Sequence, residues 1–174
     1  RTLLAVAPAR VRTEGPRIEY RVLPAQPSVM DVVALQSRVA GLLHGIAITD
    51  HPVSKLPWKA AHDSFYTAVR DGFDANLEWV TCTGHRTTDP NLVYPELFTL
   101  ARVGLHDRGI DANQTNDLLA PIEHRWTRQT SPSMWKRKQV RDQLDEGDDL
   151  KTAIEEMQLK YINRCCANQP FVEW

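Results

Sequence analysis

The segment PRIEYRVLPAQPS, residues 16–28, has the alternation of a β-strand followed by a turn that leads into a helix. In its first half, apolar side chains alternate with charged ones. The charged residues are Arg17, Glu19 and Arg21, and the apolar residues are Ile18, Tyr20 and Val22. One face of this strand therefore carries a carboxylate between two guanidinium groups, and its opposite face is suited to a core.

A second strand precedes this one, because Val11 lies between two arginines and the residues TEGP, 13–16, form a Gly/Pro turn. The sequence thus predicts an antiparallel hairpin with one charged face. The residues on this face are Arg10, Arg12, Arg17, Glu19 and Arg21. Arginine forks match phosphoryl oxygens, and a carboxylate among them can hold Mg²⁺. The alternative, which the pattern alone favours, is a solvated face with cross-strand ion pairs.

Behind the hairpin, the helical spacing of apolar residues predicts about six helices. Ser28, with Asp31 three residues later, marks the beginning of the first helix, which continues to about Gly45. Caps mark the other helices. The second helix ends at Gly72, and the third begins at Asp89 and Pro90 and ends near Gly109. The fifth begins at Ser131 and the last near Asp148. The polar residues DANQTN, 111–116, are assigned to a loop, and residues 77–88 to a strand with a turn at Gly84. The predicted class is α+β, with a small antiparallel sheet packed against the helices.

Length and composition favour one folded domain. The 174 residues, with 42% apolar and 25% charged side chains, are sufficient for a single core over residues 1–166, followed by a tail at 167–174. The net charge of −1 arises from 21 basic and 22 acidic residues. No global field therefore attracts nucleic acid or anionic lipid.

Several common sites and locations are not indicated by the sequence. No apolar run reaches the roughly 18 residues of a membrane span. Cys82, Cys165 and Cys166 are odd in number and lack a Cys-x-x-Cys spacing, which favours reduced thiols in the cytoplasm. The six histidines include no helical zinc pair, and no Gly-rich phosphate loop or Gly-x-Ser-x-Gly elbow is present.

A basic stretch occurs in the fifth predicted helix, at Lys136, Arg137, Lys138 and Arg141. Such a helix can contact nucleic acid or a nucleotide phosphate. The acidic residues of DQLDEGDD, 142–149, follow directly and would neutralise it. A solvated face is therefore the preferred interpretation.

Three segments resemble, in chain order, the carboxylate-amine ligases of the glutamate-cysteine ligase type, in the YbdK-like, archaeal-type branch. In GPRIEYRVLPAQPSVMDVVALQ, residues 15–36, a Glu-x-Arg strand leads through a Gln-Pro-Ser turn into a long apolar helix. DSFYTAVRDGFDANL, residues 63–77, is similar to the family's segment with an acid, an aromatic residue, Arg, Gly and Asp-Ala. EGDDLKTAIEEM, residues 146–157, is similar to the family's closing Gly-Asp-Leu helix. The first segment is the chemically specific one.

This resemblance implies half of a glutamine-synthetase-like catalytic fold, in an ATP-dependent ligase that joins the γ-carboxylate of glutamate to the amine of cysteine through a γ-glutamyl phosphate. By position, Glu19 would bind Mg²⁺, and Arg21 would hold the transferring phosphoryl group. Arg10, Arg12 and Arg17 would contact nucleotide or substrate. The family's early acidic strand and its histidine-bearing strand have no counterpart in this sequence. The resemblance therefore implies the C-terminal half of a longer ligase, inactive by itself.

The implied cofactors are ATP and Mg²⁺. The implied partners are glutamate, an amine acceptor such as cysteine, and the upstream half of the same polypeptide, and a homo-oligomer is left open. Neither nucleic acid nor a membrane is expected as a partner. The alternative function is a helical protein-interaction module whose front hairpin pairs with a partner's sheet, without catalysis.

Overall fold

The computed structural model describes residues 23–81 and 84–174. Within these ranges the helices are α1 (Val29–Ile48), α2 (Trp58–Asp71), α3 (Pro90–Asp107), α4 (Ala112–Thr127), α5 (Pro132–Glu146) and α6 (Leu150–Cys166). The strands are β1 (Leu77–Thr81) and β2 (Gly84–Thr88), and short 3₁₀ helices cover Pro52–Lys55, Gly72–Asp74 and Phe171–Glu173. The α+β class and the expected number of helices are confirmed in the described residues. The predicted front hairpin, residues 10–22, lies outside them.

Local capping fixes several helix ends where the sequence predicts them. The Ser28 hydroxyl accepts a hydrogen bond from the backbone N–H of Asp31 at 3.1 Å, at the beginning of α1. The Ser131 hydroxyl accepts one from Met134 N–H at 3.3 Å, at the beginning of α5. That helix ends at Gly147, whose φ of 106° is in the left-handed region that favours glycine. These ends depend on neighbouring residues only, which is why the sequence predicts them.

The assignment of residues 111–116 to a loop is wrong. Asp111 is the N-cap of α4, and its carboxylate accepts hydrogen bonds from the backbone N–H groups of Asn113 at 2.9 Å and Gln114 at 3.0 Å. The helix begins at Ala112. Its first turn is polar because it is mostly exposed, so the apolar spacing used to locate helices begins one turn late.

The chain divides into two compact units. Unit 1 contains residues 1–25 and 46–97, and unit 2 contains residues 26–45 and 98–174. Of the three sequence boundaries between them, 45/46 and 97/98 fall inside α1 and α3, and 25/26 precedes α1. The single domain predicted for residues 1–166 stays a prediction.

Unit 1 contains an antiparallel β-hairpin against α2. β1 pairs with β2 so that Leu77 lies opposite Thr88, and the segment predicted as a strand and a turn is thus a pair of strands. The backbone N–H of Glu78 donates to the Ser64 hydroxyl of α2 at 2.8 Å. The Glu78 carboxylate accepts a hydrogen bond from Thr87 Oγ1 at 2.6 Å across the hairpin. The first bond joins the hairpin to α2, and the second joins its two strands.

Unit 2 has a close helix crossing at glycine. A Cβ atom at Gly45 of α1 would lie 2.0 Å from the carbonyl oxygen of Leu100 in α3, and one at Gly104 would lie 1.9 Å from the carbonyl oxygen of Gly41. Only residues without a side chain permit this distance between backbones. The buried core beside the crossing consists of Ala101, Leu105 and Leu119.

By length and composition alone, the 20-residue helix α1 is apolar enough to cross a membrane, with a mean hydropathy of 1.2 over an 18-residue window. Core helices of soluble proteins pass the same test. The helix carries the buried, ion-paired Asp31 and the glycines that pack on α3. One side of α1 therefore packs within unit 2, although only 22% of the apolar window is buried.

Candidate functional site

The residues that the sequence predicts to form a nucleotide and metal site all precede residue 23. They are Arg10, Arg12, Arg17, Glu19 and Arg21, and they lie outside the described residues. Their common face on the hairpin stays a prediction. The groups that hold the turn after this segment are described, and they define the candidate site.

The turn at residues 26–28 is held by a buried carboxylate at the beginning of α1. Asp31 has no solvent exposure. Its Oδ2 accepts hydrogen bonds from the Ser28 hydroxyl at 2.6 Å and from the backbone N–H of Phe171 at 3.0 Å. The beginning of α1 is thus held both by its own cap and by a residue 140 positions away in sequence.

Arg125 of α4 completes the environment of Asp31. Its Nη2 donates to Asp31 Oδ1 at 2.7 Å, and its Nη1 donates to Gln26 Oε1 at 2.8 Å. The Arg125 side chain is only 12% exposed. A buried ion pair depends on such additional hydrogen bonds, because removing two charges from water costs several kcal/mol per ion. The Gln26–Ser28 turn is therefore fixed to α4 by a guanidinium fork.

The C-terminal segment 167–174, predicted to be a tail, packs within unit 2. Phe171 is buried, and the Arg125 guanidinium lies 5.0 Å from the centre of its ring. The Asn168 side-chain oxygen accepts a hydrogen bond from Val29 N–H at 2.8 Å. These residues pack against the beginning of α1, and they help to hold the turn at residues 26–28.

A phenol and a thiol lie near this anchor. Burial raises the pKa of Tyr161 above its ordinary value, and the neighbouring Cys165, through its charge and a hydrogen bond, acts in the same direction. Cys165 and Cys166 are free thiols, and Cys82 lies outside the described residues. The Tyr161 side chain therefore stays a neutral phenol in this surrounding at physiological pH.

Unit 1 contains a hydrogen-bonded network centred on His51. The backbone N–H of Val53 donates to His51 Nδ1 at 3.2 Å, so Nε2 carries the proton and donates to Glu96 Oε1 at 2.9 Å. The Trp79 indole donates to Glu96 Oε2 at 2.7 Å. The imidazole thus caps the 3₁₀ helix Pro52–Lys55 and connects it to α3 and β1. These hydrogen bonds give His51 a structural role in unit 1.

The described part of the chain contains no group of three or more His, Cys, Asp or Glu side chains arranged to hold a metal ion. The predicted Mg²⁺ ligand, Glu19, precedes that part. The magnesium site therefore stays a prediction based on the first 22 residues.

A cationic groove, which we call the basic groove, lies in unit 2 along α5 and the end of α4. Its lining includes Arg128, Trp135, Arg137, Lys138 and Arg141. Lys138 pairs with Asp142 at 2.5 Å. Within residues 23–81 and 84–174, no carboxylate pairs with Arg137 or Arg141. Of the acidic segment 142–149 that was expected to neutralise these cations, Asp142 forms an ion pair within the described residues, and its partner is Lys138.

The chain matches no protein family, no curated protein and no solved structure in the comparisons made. Its function is accordingly argued from its own residues. The sequence marks Ser28 and Asp31 through their capping spacing, whereas no local pattern marks Arg125 or Phe171 as their partners.

Proposed function

We propose that this chain is the C-terminal part of an ATP-dependent carboxylate-amine ligase, of the glutamate-cysteine ligase type, that forms γ-glutamylcysteine in the cytoplasm. The observation that carries the proposal is the anchored turn. The Glu-x-Arg segment leads directly into residues 26–28, and the buried Asp31–Arg125 pair fixes those residues. Phosphoryl transfer depends mainly on positioning and charge stabilisation. Such a site therefore requires that the segment after the strand, residues 26–28, be held in place.

The proposed reaction has two steps. A γ-carboxylate oxygen of glutamate attacks the terminal phosphorus of ATP, and ADP leaves. The amine of cysteine then attacks the γ-carbonyl carbon and loses a proton, and phosphate leaves with the oxygen that formed the first bond. Both transition states concentrate negative charge on oxygens, which fixed cations stabilise.

The residues of the predicted hairpin have separate roles in this proposal. Arg21 would hold the transferring phosphoryl group as a bidentate donor, and Arg10, Arg12 and Arg17 would contact nucleotide or substrate. Glu19 would hold Mg²⁺, which supplies charge neutralisation between the phosphate oxygens when bound. The proposal places this hairpin in half of a glutamine-synthetase-like catalytic sheet.

An exposed apolar face on α1 supports the view that this chain is part of a larger catalytic domain. The exposed apolar side chains on the unit 2 part of this helix are Val29, Met30, Val32, Val33 and Leu43. Contiguous apolar surface usually marks an interaction site. The upstream half of the ligase is the proposed occupant, because α1 follows the predicted catalytic strand directly in sequence.

The same face favours a second candidate function, a protein-interaction module without catalysis. The two candidates differ in chemistry. The ligase consumes ATP only when glutamate is present. The interaction module consumes no ATP, with or without glutamate.

The experiment that tests the proposal measures γ-glutamylcysteine and released phosphate in the ligase polypeptide that contains this chain. With ATP, Mg²⁺, glutamate and cysteine, the expected result is one phosphate per product molecule. Arg21→Gln is expected to lower turnover by about 10²- to 10³-fold, the range for loss of one transition-state donor. Arg108→Gln, an exposed arginine in unit 2, is the control and is expected to keep normal turnover. Normal turnover of the Arg21 variant would contradict the role given to that guanidinium.

A further inference from the structure

The basic groove contains more positive charge than its surroundings neutralise. The larger of two adjoining clefts, with a volume of about 570 Å³, is lined by four cationic side chains and a single carboxylate, Asp142. The smaller cleft, of about 240 Å³, shares Arg128, Thr130 and Trp135 with it. The whole chain, in contrast, has a net charge of −1. The cations are thus concentrated locally, where like charges destabilise one another unless an anion is present.

The positions of these cations follow helical geometry. Arg141 lies four residues after Arg137 and three after Lys138, so its side chain is a neighbour of both along α5. Arg128, at the end of α4, adds a guanidinium. Its Nη1 donates a hydrogen bond of 3.5 Å to the carbonyl oxygen of Val172. Arg128, Arg137 and Arg141 are all exposed. Several phosphate oxygens can therefore be bound along one line at the surface.

Trp135 provides an aromatic surface in the same place. It lines both clefts and is half-buried. Its ring is held edge-to-face by Trp174, with ring centres 5.0 Å apart. The Arg164 guanidinium lies 5.5 Å from the Trp135 ring and 5.3 Å from the Trp174 ring. The indole is thus oriented before any ligand arrives.

Arg164 adds positive charge next to the basic groove, although it lines neither cleft. Its Nη1 is buried, and it has no hydrogen-bond acceptor in the described part of the chain. A buried guanidinium N–H without an acceptor is costly, and it leaves positive charge uncompensated behind the two indoles. Lys136 Nζ, 3.6 Å from the centre of the Tyr161 ring, increases this positive charge.

We propose that the basic groove binds a mononucleotide that carries two or more phosphates, with its base stacked on Trp135 and its phosphates on Arg128, Arg137 and Arg141. The larger cleft has the volume of a small-molecule site. A strand of nucleic acid would require successive stacking platforms. Among the described residues Trp135 is the one tryptophan that lines this cleft, which favours a single base.

This binding site is independent of the proposed ligase activity. The predicted catalytic residues belong to residues 1–22, and the groove belongs to unit 2. The test therefore uses a chain in which Arg10, Arg12, Arg17 and Arg21 are each replaced by Gln, in EDTA, so that the nucleotide contacts proposed for the hairpin are removed. A failure of ligase activity leaves this measurement unaffected.

Equilibrium dialysis with labelled ATP measures the affinity. Arg137→Gln combined with Arg141→Gln is expected to weaken ATP binding at least about tenfold, since each guanidinium makes charge-assisted hydrogen bonds. The control combines Lys55→Gln with Arg108→Gln, which removes the same charge at exposed positions outside the groove and is expected to keep the affinity within about twofold. Circular dichroism verifies that both variants are folded.

A second variant, at Trp135, tests whether the nucleotide base stacks on the indole ring. Trp135→Leu is expected to weaken ATP binding by about tenfold and to leave tripolyphosphate binding unchanged, because only ATP has a base to stack. An affinity for ATP that is equal in the arginine variant and its control would overturn the proposal. So would equal weakening of ATP and tripolyphosphate in Trp135→Leu, or a single-stranded oligonucleotide that binds more tightly than ATP.

Discussion

Glu19→Ala is expected to abolish magnesium- and ATP-dependent formation of γ-glutamylcysteine by the ligase polypeptide that contains this chain. The carboxylate is the predicted Mg²⁺ ligand on a face otherwise composed of arginines. On the predicted face, its loss would remove the metal ligand and would leave four guanidiniums without a carboxylate among them. Product is measured by mass spectrometry over a range of Mg²⁺ concentrations.

A matched control is present in the same segment. Glu14 lies in the predicted turn at 13–16, and Glu14→Ala removes an equal charge without removing the metal ligand. This variant is expected to keep wild-type turnover. Near-normal product formation by Glu19→Ala, at any Mg²⁺ concentration, would refute the assignment of the metal site.

Arg125→Met is expected to lower the free energy of unfolding by about 3–5 kcal/mol, because it leaves the Asp31 charge buried without its partner. The methionine keeps most of the apolar volume against Phe171, so the loss reports chiefly on the charge and its hydrogen bonds. Urea unfolding followed by tryptophan fluorescence measures the change.

The double variant Arg125→Met with Asp31→Leu separates charge from packing. Replacing both members of a buried pair by apolar residues is often neutral, so the double variant is expected to be more stable than Arg125→Met. Arg70→Gln, which breaks the exposed pair with Asp71, is the control and is expected to leave the unfolding midpoint near that of the wild type. A midpoint for Arg125→Met equal to that of the control would contradict the role of Arg125 as the anchor of the turn.

Features set by neighbouring residues could be predicted from the sequence. Ser28, Ser131 and Pro132 begin helices, and Gly72 and Gly147 end them, because capping depends on groups within one helical turn. The α+β class followed from the same local signals. A polar first turn such as the one after Asp111 was assigned to a loop because it carries no apolar spacing.

Features that depend on the tertiary fold could not be predicted in this way. Asp31 and Arg125 are 94 positions apart, and neither residue type nor spacing pairs them. In α6, Leu150 and Ile154 share helical spacing with Met157, yet both are exposed, and Ala153 and Met157 face the interior. Spacing identifies an apolar stripe, but the packing partner decides which edge of the stripe is buried.

The candidate site combines both kinds of information. The Glu-x-Arg segment is visible in the sequence, and the five charged residues of the predicted hairpin lie outside the described residues. The anchor of the following turn is visible only in the structure. The anchor holds residues 26–28 within unit 2, and the phosphate-binding face of the hairpin stays a prediction.

The most direct test of the ligase proposal follows one oxygen atom. Glutamate labelled with oxygen-18 in its γ-carboxylate is supplied with ATP, Mg²⁺ and cysteine to the ligase polypeptide that contains this chain, and the released phosphate is analysed by mass spectrometry. A γ-glutamyl phosphate intermediate predicts that each phosphate carries one labelled oxygen. Product formation with unlabelled phosphate, or no product from ATP, glutamate and cysteine, would contradict the proposal.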